Sequence, residues 1–256
     1  MLKTITNNLK EKSMTIRRIM ATSGGFLPTE RWDVIKPGGT MLRMLQLSGR
    51  ERPRVCFIHT ASGDNAGYLS RSYAAMSDLD CTVTHLQLFT QPNVSIREHL
   101  AESDVIWVGG GSVANLLSLW KLHEVDIALR EAYESGVILG GVSAGSICWF
   151  QGGPTDSFGP DLQVVRNGMG ILPFGNAVHY DSETQRRPMA HDLIKDAIFE
   201  RIYATDDGVG ILFENEVPVE VITDRSVAES NGKLAYLVEK INGEVRETAL
   251  APGLLG

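Results

Sequence analysis

Apolar runs of strand length alternate with segments of helical period from the N-terminal part of the chain to Trp149. This alternation is typical of crossover units, in which helices connect parallel strands and cover both faces of a sheet. We therefore expect an α/β fold with a mostly parallel, flavodoxin-like sheet flanked by helices. The predicted strands are residues 18–21, 55–60, 82–88, 105–108 and 137–142, and the predicted helices are residues 40–47, 66–77, 96–102, 112–120 and 124–135.

The pattern changes after Trp149. A loop rich in glycine and proline extends to about residue 160, and a turn is predicted at 168–175. Because no linker or repeat interrupts the chain, residues 17–256 are expected to form one domain, preceded by a poorly ordered extension of residues 1–16 in which Met14 is an alternative start to Met1. The remaining predicted elements are a strand at 162–166, a helix at 187–203, and C-terminal antiparallel strands at 209–213, 217–222, 235–241 and 244–250, the last two joined by the hairpin signal Asn242-Gly243.

Composition excludes several classes of protein. With 24 basic and 31 acidic residues, a net charge of −7 leaves no basic surface for nucleic acid. The three cysteines, Cys56, Cys81 and Cys148, are widely spaced in or beside apolar runs and fit buried thiols of a reducing compartment. The first residues lack the apolar core of a secretory signal, so a cytoplasmic location is expected. The uncharged segment 135–155 is long enough to cross a bilayer, but its six glycines favour a buried strand, a turn and a short helix.

Ser143 is the strongest candidate for a reactive side chain. It lies in Gly141-Val142-Ser143-Ala144-Gly145, directly after a predicted buried strand and before a predicted short helix at 146–150. A nucleophile at such a position needs small neighbours, so that a strained turn can present its hydroxyl, and the helix start supplies backbone N–H groups to a developing oxyanion. A glycine-rich turn that packs closely or holds a phosphate fits this motif equally well.

Partners for the serine distinguish these alternatives, because a hydroxyl is a weak nucleophile without a base and a group that orients the base. Of the six histidines, His59 and His85 lie inside apolar runs and are typical of structural residues, whereas His179 stands at a strand end among polar groups. The acids near it in sequence are Asp156, Asp161 and Asp181, of which Asp156 is preferred because its loop can fold back over the serine.

The run Gly109-Gly110-Gly111 closes the strand predicted at 105–108. Three glycines let the backbone approach a substrate carbonyl with free N–H groups. The run does not match a dinucleotide-binding or P-loop motif, so nucleotide binding is not predicted.

Four features follow one another along the chain: Gly109-Gly110-Gly111-Ser112, the motif around Ser143, the Gly/Pro turn before His179, and Glu183 with Arg186 and Arg187. In this order they resemble the peptidase E family of serine peptidases. That family includes aspartyl dipeptidases and, more distantly, cyanophycinase. The resemblance covers roughly residues 17–220 and implies a fold related to class I glutamine amidotransferases.

The resemblance also implies roles for single residues. Ser143 falls on the nucleophile, His179 on the general base, and Gly110 and Ala144 on the amides of the oxyanion hole. Asp156 is nearest to the acidic member, at a slightly shorter offset from the serine than in the prototype dipeptidases. Arg186 or Arg187 would bind the substrate's aspartate side chain, although Ser112 replaces the asparagine that follows the glycines in the prototype.

The expected protein is thus a serine exopeptidase that hydrolyses dipeptides with N-terminal aspartate and needs no metal or organic cofactor. A cyanophycinase-like or broader peptidase of the same fold is the first alternative. An esterase of the α/β-hydrolase type is less favoured, because its histidine comes near the chain end and not 36 residues after the serine. Small peptides are the expected partners, and the sequence does not distinguish a monomer from a homodimer.

Overall fold

The computed structural model describes residues 15–255. The expectation for residues 1–16 and the alternative start at Met14 therefore fall almost wholly outside the described residues. Sixteen strands are described in chain order as β1 (Arg18–Thr22), β2 (Phe26–Pro28), β3 (Ile35–Pro37), β4 (Arg54–Ile58), β5 (Thr82–Leu86), β6 (Val105–Val108), β7 (Ile138–Val142), β8 (Phe150–Thr155), β9 (Gln163–Val165), β10 (Leu172–Ala177), β11 (Arg201–Thr205), β12 (Val209–Glu214), β13 (Val217–Thr223), β14 (Ala235–Ile241), β15 (Glu244–Leu250) and β16 (Gly253–Leu254).

Eight strands form the larger sheet, in the order β16-β13-β12-β1-β7-β6-β4-β5. The five from β1 to β5 in this order are parallel to one another, and β12, β13 and β16 extend the sheet with antiparallel pairs. The chain order reverses between β4 and β6, and the crevice at such a point is where open α/β sheets bind ligands. Together with the flanking helices, this arrangement confirms the predicted fold class.

Helices cover both faces of this sheet. They are α1 (Gly39–Leu47), α2 (Ala66–Met76), α3 (Ile96–Ala101), α4 (Val113–Leu122), α5 (Val125–Glu134) and α6 (Ala144–Ile147). The last helix, α7 (Arg186–Lys195), packs instead on a second, six-stranded sheet. Alternate residues of a strand point to opposite faces, so Ile106 packs in one apolar core with Trp120 of α4, whereas Trp107 packs in another with Met44 of α1. Among the described residues, no helix has both the length and the apolar character that crossing a membrane would require.

The second sheet differs from the sequence prediction. Its order is β15-β14-β11-β10-β8-β9, and β10 pairs in parallel with both β8 and β11. The expected loop before residue 160 is instead β8, and the expected turn at 168–175 contains most of β10. The helix predicted at 187–203 ends at Lys195, and β11 begins at Arg201. The uncharged segment 135–155 forms β7, α6 and β8, as its glycines indicate.

Two strands stand apart from both sheets. β2 and β3 form a short antiparallel hairpin that the sequence did not predict, and β3 packs against α2. Phe26 of this hairpin meets Trp107 edge to face, with ring centroids 5.7 Å apart. The hairpin therefore lies over the carboxyl end of β6.

Asp224, directly after β13, joins the carboxyl end of β1 to the start of α1. Its carboxylate accepts hydrogen bonds from the N–H of Gly25 at 2.6 Å and from the N–H and hydroxyl of Thr40 at 3.1 and 2.6 Å. The residue is buried, so water cannot readily replace its carboxylate as the acceptor for these three donors.

We predict that Asp224→Ala lowers the free energy of unfolding by at least about 3 kcal/mol, because each buried donor left unpaired costs about 1–3 kcal/mol. Urea denaturation at neutral pH measures the change. Asp161→Ala, at an exposed aspartate, is the matched control and should unfold like the wild type. Equal stability of the two variants would contradict the prediction.

Candidate active site

Ser143 lies at a sharp turn between β7 and α6. Its backbone angles, φ 56° and ψ −117°, are rare for a residue with a side chain and cost about 1–3 kcal/mol. Gly141 and Gly145 make the turn possible, because an added Cβ would lie 2.5 and 2.2 Å from the carbonyl oxygen of Val108. The serine therefore occupies the strand-to-helix turn that the sequence predicts.

Free backbone N–H groups lie beside this serine. A Cβ added at Gly110 would be 3.2 Å from the Cβ of Ser143 and 3.8 Å from its Oγ, so the glycine run is directly adjacent. Within the described part of the chain, the N–H groups of Gly110 and Ala144 have no hydrogen-bond acceptor. N–H groups placed in this way can stabilise an oxyanion that forms where the serine attacks a carbonyl.

His179 follows β10 and is paired with an acid that the sequence analysis missed. Its Nδ1 lies 2.6 Å from Oδ1 of Asp207, in the loop after β11. An ionised carboxylate only accepts, so Nδ1 carries the proton and Nε2 keeps a free lone pair. The hydrogen bond from His179 is the largest cause of the lowered pKa of Asp207. When the ring is neutral, this hydrogen bond holds it in the tautomer that an oriented general base requires.

The carboxyl end of β1 holds both parts of the site. The carbonyl of Thr22 accepts a hydrogen bond from the N–H of Ser143 at 3.2 Å, and the hydroxyl of Ser23 accepts one from the N–H of His179 at 2.9 Å. The Ser23 carbonyl also accepts from Gly208, next to the aspartate, at 3.1 Å. No hydrogen bond between the Ser143 hydroxyl and the His179 ring is found among the described residues, and catalytic hydrogen bonds of this kind often tighten only when substrate binds.

Neither Asp156, the acid preferred from sequence, nor its alternative Asp181 is hydrogen-bonded to His179 in the described part of the chain. Asp156 is exposed beyond the end of β8, and the structure does not bring its carboxylate to His179. Asp181 accepts a hydrogen bond from the backbone N–H of Asp207 at 2.9 Å and forms an ion pair with Lys233. Its carboxylate therefore fixes the loop that carries Asp207.

The two arginines expected to bind substrate are bonded within the chain. Arg186 is buried, and its guanidinium donates to Glu183 at 2.7 Å and to the carbonyl of Pro154. Arg187 pairs with Glu247 and lies over the ring of Tyr180, 4.5 Å from its centroid. The structure does not bring either guanidinium to the cavity beside Ser143.

A cavity of about 540 Å³ opens beside the serine at the crevice between β4 and β6. Ser143 and the glycine run 109–111 line it. The hairpin contributes Phe26 and Ile35, and α2 contributes Tyr68 and Arg71. These wall residues are not predictable from local sequence patterns, because they belong to elements that are far apart along the chain.

His59, after β4, also lines this cavity. Its Nε2 is 3.0 Å from the hydroxyl of Ser72, which itself donates to the carbonyl of Tyr68. The Ser72 oxygen is therefore the acceptor, and the ring proton is on Nε2. Burial is the main reason that the pKa of His59 falls to about 4, so the ring is neutral at neutral pH.

Comparisons with known proteins bear on the family and on the fold. The model of peptidase family S51 matches residues 23–220. A Bacillus subtilis protein named "uncharacterized peptidase YgaJ" is 42% identical over 83% of this chain and 90% of its own length. A peptidase E from Shewanella denitrificans is 30% identical over 45% of this chain and 48% of its own length. The crystal structure of a peptidase from an acI-B1 actinobacterium superposes with a TM-score of 0.67 at 13% identity, covering 94% of this chain and 97% of that one, which supports the fold.

We predict that His59 makes the protein less stable in acid. Between its ordinary pKa of 6.5 and its folded value of about 4 the unfolded chain binds one proton more, so the free energy of unfolding falls as the pH is lowered. The full shift corresponds to about 3 kcal/mol. Urea denaturation from pH 7 to pH 4 should show a smaller loss for His59→Asn than for the wild type.

His123 lies in the turn directly after α4. His123→Asn is the control, and its free energy of unfolding should show the same pH dependence as that of the wild type. If His59→Asn lost as much stability in acid as the wild type, burial of a neutral His59 would not be the cause.

Proposed function

The chain belongs to peptidase family S51, and on that premise we propose that it is a serine peptidase that hydrolyses short peptides. The observation that carries this proposal is the strained turn at Ser143, next to the free N–H groups of Gly110 and Ala144 and tied through β1 to the His179–Asp207 pair. A turn that only packs closely or holds a phosphate would not need an oriented histidine at the same strand end.

In the proposed reaction the Ser143 hydroxyl attacks the carbonyl carbon of the peptide bond, and Nε2 of His179 takes its proton. The N–H groups of Gly110 and Ala144 donate to the oxyanion of the tetrahedral intermediate. The C–N bond then breaks as the imidazolium returns the proton to the leaving amine. A water molecule, deprotonated by the same imidazole, hydrolyses the acyl-serine ester and releases the second product.

Asp207 replaces Asp156 as the acid in this proposal. Its carboxylate lies 2.6 Å from Nδ1 of His179 and has a lowered pKa, so it remains negative when the imidazole becomes protonated. Asp181 and Lys233 are positioning residues for the loop that carries it.

The preference for N-terminal aspartate that the sequence suggests has no support from Arg186 or Arg187. Both guanidiniums already bind acceptors of the chain itself, and opening either pair would leave a carboxylate or a carbonyl without its donor. The proposed function is therefore hydrolysis of short peptides, without the aspartate specificity.

We predict that Ser143→Ala abolishes dipeptide hydrolysis while the melting temperature stays close to that of the wild type. A fluorophosphonate probe should label the wild type at Ser143, as mass spectrometry of the digested protein would show, because only an activated hydroxyl reacts readily. Ser118→Ala, at an exposed serine of α4, should keep both activity and labelling. Undiminished hydrolysis by Ser143→Ala would exclude this residue as the nucleophile.

A second prediction concerns the acid. Asp207→Asn should lower kcat by about three to four orders of magnitude, since an amide no longer fixes the proton on Nδ1 or stabilises the imidazolium. Asp156→Asn is the matched control and should keep wild-type activity. The reverse result, with the loss confined to Asp156→Asn, would restore the assignment made from sequence.

A further inference from the structure

We propose that the cavity beside Ser143 binds an apolar or aromatic side chain of the peptide, at one of the two residues that flank the cleaved bond. This inference rests on the proposed function and names the substrate class. The cavity shares Ser143 and Gly110 with the catalytic machinery, so any group in it lies next to the bond under attack.

The walls are mostly apolar. Phe26 and Trp107 meet edge to face, and Ile35 and Val142 also line the cavity. Most of the cavity surface consequently belongs to carbon atoms. A ligand that covers this surface gains a binding free energy of about 25 cal/mol for each Å² of apolar surface removed from water. At about 540 Å³ the space is larger than one phenylalanine or leucine side chain.

His59 gives the cavity no positive charge at neutral pH. His59 donates through Nε2 to Ser72, stacks on Phe57 at 6.0 Å, and is buried as the neutral imidazole. A neutral ring can accept a hydrogen bond at Nδ1 but cannot balance an aspartate carboxylate.

Arg71 is the group that opposes this inference. It stands on α2 at the cavity, and a free guanidinium there would favour an acidic side chain. Its Nε, however, lies 3.4 Å from the carboxylate of Asp33, on the loop between β2 and β3. The opposite charge of Asp33 lowers the net charge at this wall, although Nε of Arg71 makes no hydrogen bond within the described residues.

The test measures binding separately from hydrolysis. Titration calorimetry of the Ser143→Ala protein with Phe-Ala, Ala-Phe, Asp-Ala and Ala-Asp reports affinity without turnover, and kcat/KM of the wild type is measured on the same peptides. We expect a phenylalanine peptide to bind at least about tenfold more tightly than its aspartate counterpart at one of the two positions. Ile35→Arg, which brings a cation into the cavity, should remove or reverse this preference in both measurements.

Val34→Arg is the matched control, because Val34 is exposed next to Ile35 and does not line the cavity. It should keep the wild-type preference. The inference would be overturned if aspartate peptides bound as tightly as phenylalanine peptides, or if Ile35→Arg left the preference unchanged. The contradiction would be most direct if Arg71→Gln then abolished the binding of aspartate peptides. Absence of hydrolysis by the wild type would instead contradict the proposed function, while the binding series would still decide the cavity.

Discussion

The close approach of β6 to the turn after β7 is the contact on which the site depends. Gly141 and Gly145 bring their backbones against the carbonyl of Val108 at distances that no side chain allows. The chain can then reverse at Ser143 with a positive φ, and the same approach sets Gly110 against that serine. One packing constraint between neighbouring strands thus fixes the relative positions of a nucleophile and of an N–H group that can face its oxyanion. The local strain at Ser143 persists because the surrounding sheet overdetermines it.

The histidine comes to the carboxyl end of β1 from the second sheet, so the position of the site also depends on the junction between the sheets. β11 leads directly into β12 of the larger sheet, and Asp207 lies in the short connection between them. Ser23 spans the junction, since its hydroxyl accepts from the His179 N–H and also contacts Thr205. Because each of these bonds uses a backbone group, the attachment of His179 and of β11 to the end of β1 does not depend on long, flexible side chains.

The part of this architecture that sequence could predict is the part encoded locally. The parallel strands, the turn at Ser143 and the strand-end position of His179 all follow from short patterns of apolar residues and glycines. Asp207 was missed because the helix predicted through Tyr203 overlaps the start of β11. Without that strand, nothing in the sequence places Asp207 at a strand end, where site residues are expected. The glycines of β8 suggested a loop, although Gly153 packs against the carbonyl of Asn176 on β10. The pairing of Arg187 with Glu247 joins residues 60 positions apart, which no local pattern reveals.

The net charge of the chain and the pairing of its arginines both bear on the choice of substrate. The chain carries a net charge of −7, and recognition of an acidic peptide would require a local cluster of free cations to overcome that field. Arg186 and Arg187 are instead paired with Glu183 and Glu247, and Arg71 at the cavity faces Asp33. A dipeptide with two apolar side chains is a zwitterion without net charge, so the protein's field neither attracts nor repels it at long range. Selection then falls to short-range contacts, and the aromatic and aliphatic walls beside Ser143 are the surface that can provide them.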